Sequence, residues 1–239
     1  MSGKMNIDQL EQQRDTVEHI ELSMPDIEIC QRYEKLYTGA VNDVMREMCM
    51  PFQALPSAIR PLRDGMVVAG FAFTIRSTDD PTLGGELALR VDMLDEIQPN
   101  HVCVWNHCGH DVASHWGGVM TRASAKRGAR GAIVDGGIRD TKDILAQGLP
   151  IWYRYRTSTG ALSNSKLVSW QKPVYVGNVI IRPGDLVMAD IDGALVVPRK
   201  MIVEVLERAE TIEKNEGEIK EWVDAGLSAQ DINDRGGYF

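Results

Sequence analysis

Apolar and polar positions along the chain change rhythm three times. Residues 6–22 read as a helix of mixed polarity, and Pro25 opens a second helical stretch through "DIEICQRYEKLY". Thr38 is expected to cap a short helix that lines up Ala40, Val41, Val44, Met45 and Met48 on one face. Pro51, Pro56 and Pro61 then break the chain into a loop. From residue 67 the pattern alternates. A β-branched and aromatic run (67–77) is followed by the helically spaced "GGELALRVDMLDEI". After it come a strand at 101–105, a helix at 118–128, a strand at 131–135, a helix at 140–147 and a strand at 151–156. This βαβαβ order predicts parallel strands joined by right-handed crossovers.

A third rhythm follows. "PVYVGNVIIRPGDLVMADIDGALVVP" consists of short apolar segments divided by Gly-Asn, Pro-Gly-Asp and Asp-Gly, which are turn and hairpin signals. A final helix is expected over 199–224, with its stop at Gly226. The expected organisation is a helical extension (1–37), an α/β catalytic domain (38–198) with a parallel layer and an antiparallel β portion, and a C-terminal helix and tail (199–239).

Composition narrows the function classes. A chain of 239 residues with 44% hydrophobic and 25% charged residues can bury an ordinary globular core. The net charge of −8 and the lack of a dense Lys/Arg cluster exclude a nucleic-acid surface. No apolar run reaches the length of a membrane span, and the polar N-terminus lacks a signal-peptide core. The four cysteines show no zinc-type spacing and are expected to be buried free thiols in a reduced, cytoplasmic setting.

Candidate chemistry gathers at the carboxyl ends of the parallel strands, where ligands bind in such sheets. Two of these ends are "WNHCGHDVASHWGG" and "DGGIRD". They bring Asp135, Arg139 and Asp140 toward a loop carrying His107, His110, Asp111 and His115. Gly136-Gly137 would permit a tight strand-to-helix turn and Asp140 would cap the next helix, readings that need no ligand. Arg139 needs another reason: its fork of donors suits a carboxylate or phosphate. Asp140 beside it suits Mg²⁺ or Mn²⁺ with several retained waters. Gly117 and Gly118, with Val119 and Met120, open a helix whose free N–H groups could hold a substrate carboxylate. The histidines are candidate zinc ligands without the i, i+4 spacing of a zincin, and His115 or another is a candidate proton carrier. Walker A, G-x-G-x-x-G and G-x-S-x-G motifs are absent.

The stretches "GARGAIVDGGIRD" (128–140) and "PGDLVMADIDGALVVP" (183–198) resemble the family that joins 4-hydroxy-4-methyl-2-oxoglutarate aldolases with the regulators of ribonuclease activity, formerly labelled dimethylmenaquinone methyltransferases. The likeness runs from about Thr38 to Ala225. It implies a swivelling β/β/α-type domain in homotrimers or homohexamers with sites between subunits. It also implies a divalent metal at Asp140, enolate stabilisation by Arg139, and a pyruvate carboxylate held at Gly117 to Met120. The activity implied is cleavage or decarboxylation of a 2-oxo acid through a pyruvate enolate. Alternatives are a different lyase or hydrolase reaction, or a non-catalytic regulator. The sequence departs from the aldolase pattern at Gly118, where an acid is expected, and at Ser163, where a lysine is expected. His115 or Asp111, or Glu213, Glu216 or Glu218 of a neighbouring subunit, could supply the acid.

Overall fold

The structure is a computed structural model that describes residues 5–17, 20–82, 86–108 and 111–239. Helix α1 (Ile7–Asp15) is shorter than the expected 6–22 and buries none of its residues. It stops at Thr16, whose backbone is extended and whose hydroxyl donates to the Gln12 carbonyl. Helices α2 (Asp26–Tyr33) and α3 (Thr38–Glu47) follow. Thr38 is the first residue of α3 and not its cap: its N–H and hydroxyl both donate to the buried Asp190 carboxylate, at 2.7 and 2.8 Å.

The sheet then forms from β1 (Arg60–Pro61), β2 (Val68–Asp79), β3 (His101–Cys108), β4 (Ser114–Trp116), β5 (Gly131–Ile138) and β6 (Ile151–Arg156). Helices α4 (Glu86–Asp95), α5 (Gly118–Lys126) and α6 (Thr141–Gln147) fall between these strands. β7 (Ser165–Trp170), the separate hairpin β8 (Val174–Val176) and β9 (Val179–Ile181), and the pair β10 (Leu186–Ala189) and β11 (Ala194–Val197) complete the β structure. A single 3₁₀ turn leads into α7 (Ile202–Asp224), and a short α8 (Ala229–Asp234), which the hydrophobic pattern did not predict, closes the chain. The sheet order is β1-β6-β5-β3-β2-β10-β11, with β4 paired to β5 and β7 to β2. Pairs β2–β3, β3–β5 and β5–β6 are parallel, as the βαβαβ rhythm predicts, and β2–β10 and β10–β11 are antiparallel. The fold is therefore mixed α/β with helices at both ends.

Two clusters make up the core. In one, Ala69, Phe71, Leu186, Met188, Leu195 and Val197 pack against Ile29, Tyr33, Val41 and Met45 of α2 and α3 and Val205 and Leu206 of α7. The larger cluster, which includes Phe73, Trp105, Ile133 and Trp152, takes residues from both faces of the sheet: Trp105 is in register with Ile75 and Val134, whereas Ile133 is in register with Val104 and Trp152.

Two expectations change here. β5 does not end at Asp135 but continues through Gly136-Gly137 to Ile138, exchanging β3 for β4 as its neighbour on one side. The two glycines are thus strand residues. A Cβ on Gly137 would come within 2.6 Å of the Ala113 carbonyl and of the Tyr155 ring, so close approach rather than a turn requires glycine there. The four cysteines are free, but only Cys30 and Cys103 are buried, while Cys49 and Cys108 are exposed.

Candidate functional site

The carboxyl ends of β5 and β6 lie side by side, with Ile138 opposite Arg156 in the register. Immediately after β5, the Arg139 N–H donates to the Trp116 carbonyl at 3.0 Å, which anchors this turn to the end of β4. Asp140 then adopts φ 58° and ψ 32°, a left-handed backbone uncommon for a residue with a side chain but reached more readily by Asp and Asn. It occupies the cap position of α6, and its side chain makes no capping bond. Instead, Asp140 Oδ2 accepts the Gly118 N–H at 3.2 Å, at the start of α5. The capping reading of Asp140 is therefore wrong, and the side chain faces the neighbouring helix.

Arg139 stays close to this carboxylate, with Nε 3.7 Å from Asp140 Oδ2, and both side chains are half exposed. Glycines make room for the pair. A Cβ on Gly117 would sit 2.8 Å from Asp140 Oδ2, and one on Gly160 would sit 2.8 Å from Arg139 Nη1. A cleft of about 480 Å³ opens over Ile138, Arg139, Asp140, Thr141, Arg156, Thr157 and Ser158. Arg156 was not singled out in the sequence. The readable signal was its place at the carboxyl end of the third parallel strand, beside Ile138. Its guanidinium lies over the Tyr153 ring at 5.3 Å and makes no ion pair among the described residues.

The first turn of α5 faces the pair. Its first backbone donor inside the helical ladder is the Thr121 N–H, bonded to the Gly117 carbonyl at 3.0 Å. Of the three donors before it, Gly118 serves Asp140, which leaves the N–H groups of Val119 and Met120 for a ligand. Gly117 and Gly118 are buried and Val119 is 81% exposed.

Other candidates lie elsewhere. Asp135 is buried in an ion pair with Arg154, and Asn106 Nδ2 lies 3.4 Å from it, so it is a structural carboxylate and not part of the cleft. His115 is 1% exposed, stacked on His107 with ring centroids 3.8 Å apart, and neither ring nitrogen has a partner among the described residues. Burial first, then the neighbouring His107, pushes its pKa down to about 3, so the ring is neutral at physiological pH. His107 is itself fully engaged: Nδ1 lies 3.1 Å from Ser77 Oγ and Nε2 lies 3.1 Å from Asp79 Oδ1. Because the Trp105 N–H donates to Ser77 Oγ at 2.8 Å, the network is satisfied with the imidazole proton on Nε2. Asp111 is exposed in the turn before β4. Burial foremost, and the Asp111 charge next, raise the Tyr155 hydroxyl to about 12. His110 lies outside the described residues. Neither His107 nor His115 lines the Arg139–Asp140 cleft.

A hard cation fits the donor set of the cleft. Asp140 offers a half-exposed carboxylate that has given up capping, and the Cβ-free Gly117 leaves space beside it. Among the described residues no group of three or more His, Cys, Asp or Glu side chains is gathered for a metal, so any cation here would keep several waters. No described helix is long and apolar enough to cross a membrane.

Known proteins share this fold and sequence pattern. A solved structure described as one of the novel cellulases from microbes associated with the gut ecosystem is 46% identical, with a TM-score of 0.85 over 90% of this chain and 96% of that one. A putative 4-hydroxy-4-methyl-2-oxoglutarate aldolase of Halalkalibacterium halodurans is 29% identical over 79% of this chain and 85% of its own length. Protein DlpA of Legionella pneumophila is 25% identical over 72% of this chain, which spans only 28% of DlpA's length. The family model RraA-like, Aldolase/RraA, matches residues 38–196, and the chain belongs to that family.

Proposed function

We propose that the chain is a divalent-metal-dependent carbon–carbon lyase, using Mg²⁺ or Mn²⁺, that cleaves or decarboxylates a 2-oxo acid through a pyruvate enolate. The observation that carries this reading is the left-handed backbone of Asp140, which turns its carboxylate toward the Gly118 N–H with Arg139 beside it. Asp140 would hold the cation. The cation, when bound, supplies Lewis-acid polarisation of the 2-oxo group. The Val119 and Met120 N–H groups, at the positive end of α5, hold the substrate carboxylate. Arg139, held near Asp140 and given room by Gly160, would stabilise the negative charge that develops on the enolate oxygen. Arg156, Thr157 and Ser158 line the space for the part of the substrate beyond the enolate. His115, buried and neutral, packs the junction of β3, β4 and β5 rather than moving protons. In this reading the active form is a homotrimer or homohexamer. Of the acids on α7 considered for a neighbour's site, Glu216 already accepts the Tyr37 hydroxyl, whereas Glu213 and Glu218 are exposed.

The test is pyruvate release from oxaloacetate and 4-hydroxy-2-oxo acids with Mg²⁺ or Mn²⁺ present. Asp140→Ala should lower kcat by about 100-fold or more, and Arg139→Lys by roughly 10- to 100-fold because the fork is lost while the charge stays. Equal turnover in EDTA would remove the metal from the reading. Glycoside hydrolysis, suggested by the description of the 46% identical structure, is the second reading. It requires two carboxylates flanking the scissile bond, and Asp140 is the one carboxylate among the residues lining this cleft. Release of sugars from cellulose oligosaccharides, unaffected by EDTA, would favour it over the lyase.

A further inference from the structure

Gly118 has no conformational reason to be glycine. It is the first residue of α5, its backbone is not left-handed, and glycine in a helix costs about 1 kcal/mol relative to alanine. The reason lies in space. A Cβ built on Gly118 would fall onto Asp143 Oδ2, well inside van der Waals contact, and 3.4 Å from Asp143 Cβ. Asp143 sits in the first turn of α6, three residues after Asp140, and its carboxylate leans across to α5. Gln147 Nε2 steers it there, donating at 3.0 Å both to Asp143 Oδ2 and to the Gly118 carbonyl. Arg122 is only a loose partner, with Nη2 3.6 Å from Oδ1 and both side chains more than half exposed.

Two carboxylates from one turn of α6 therefore converge on one residue of α5. Asp140 takes its N–H, and Asp143 takes the place of its side chain. Each carboxylate has only a loose guanidinium partner, Arg139 at 3.7 Å from Asp140 and Arg122 at 3.6 Å from Asp143, so neither is tightly paired within the protein. Building on the lyase reading of this cleft, we propose that Asp143 is the second acidic residue of the site. It does not line the cleft itself; it is a positioning residue that stands beside Gly118, the residue whose N–H Asp140 accepts, and acts on the divalent cation through the hydration shell. The acid that aldolase-like sequences would carry at position 118 is here delivered from α6, and the absence of a side chain at 118 is what admits it.

Mn²⁺ titration of the full chain, read by calorimetry and by the electron paramagnetic resonance of free Mn²⁺, tests this apart from turnover. Asp143→Asn keeps an acceptor for Gln147 and removes the charge. It should weaken Mn²⁺ binding about ten-fold and lower kcat more than it raises KM. In the double variant Asp143→Ala/Gly118→Asp the space is cleared and the acid relocated, so most of the lost Mn²⁺ affinity should return. A merely structural Asp143 would change thermal stability and not Mn²⁺ affinity. If Asp143→Asn binds Mn²⁺ within about two-fold of the parent while Asp140→Ala has lost it, the proposal is overturned and the lyase site stands. If the parent binds no Mn²⁺, or neither variant alters binding, the reading of the site falls and this proposal with it.

Discussion

At the scale of single residues, what decides function is where a charge is held relative to its backbone. Arg139-Asp140 was visible as a pair in the sequence, but the sequence offered capping as an equal use for Asp140. The left-handed backbone at Asp140 removes that use, because it carries the side chain away from the first turn of α6 and toward Gly118. The opposite happens at His115. The ordinary imidazole pKa, near neutrality, suggested a proton carrier, yet His115 packs on His107 at 1% exposure. Its pKa is lowered on folding, to about 3, so it stays neutral in the native state while the unfolded chain takes up a proton below the ordinary value of about 6.5. Its contribution is present above about pH 6.5 and is lost as pH falls from there toward 3. His115→Leu should therefore flatten the loss of stability between pH 6.5 and 3 by on the order of a few kcal/mol, measured by urea unfolding across that range. An unchanged pH slope would show that His115 titrates normally.

At the scale of elements, glycine had two meanings that composition cannot separate. Gly136-Gly137 looked like turn residues because they follow Asp135 and precede a helix. They are strand residues, because β5 must pass β4 and the Tyr155 ring at a distance that excludes a Cβ. Gly137→Ala should cost about 2–3 kcal/mol, since one of the atoms that would have to move is the Ala113 backbone carbonyl. Gly217 lies in the interior of α7 with nothing within 4 Å of an added Cβ. Gly217→Ala should stabilise the protein by about 0.5–1 kcal/mol through helix propensity. Chemical denaturation of both variants checks the pair, and the two shifts should have opposite sign. The strands and helices themselves were legible because apolar periodicity reports burial directly. The histidine loop was less so, since β4 is three residues long and makes its pairing with the far end of β5.

At the scale of the whole molecule, the mixed sheet lays the carboxyl ends of β5 and β6 together and sets the start of α5 against them. A cation bound there in the native state alone stabilises the entire fold by mass action, about 2.7 kcal/mol at a hundred times Kd. For a chain of this size Mn²⁺ should then raise Tm by roughly 5–10 °C, EDTA should reverse the rise, and Asp140→Ala should show none of it. Scanning calorimetry with and without Mn²⁺ measures this. By itself the sequence determined the βαβαβ layer, the antiparallel addition, the amphipathic helices and the adjacency of Arg139 and Asp140. All of these depend on spacings of a few residues. Only the tertiary structure decided that Asp135 belongs to Arg154, that His115 is buried, that Arg156 shares the cleft and that the Asp143 carboxylate fills the space beside Gly118. Those facts depend on which strands become neighbours and how closely their backbones approach. A periodic pattern specifies which face of an element is buried, but not which distant residue will meet it there.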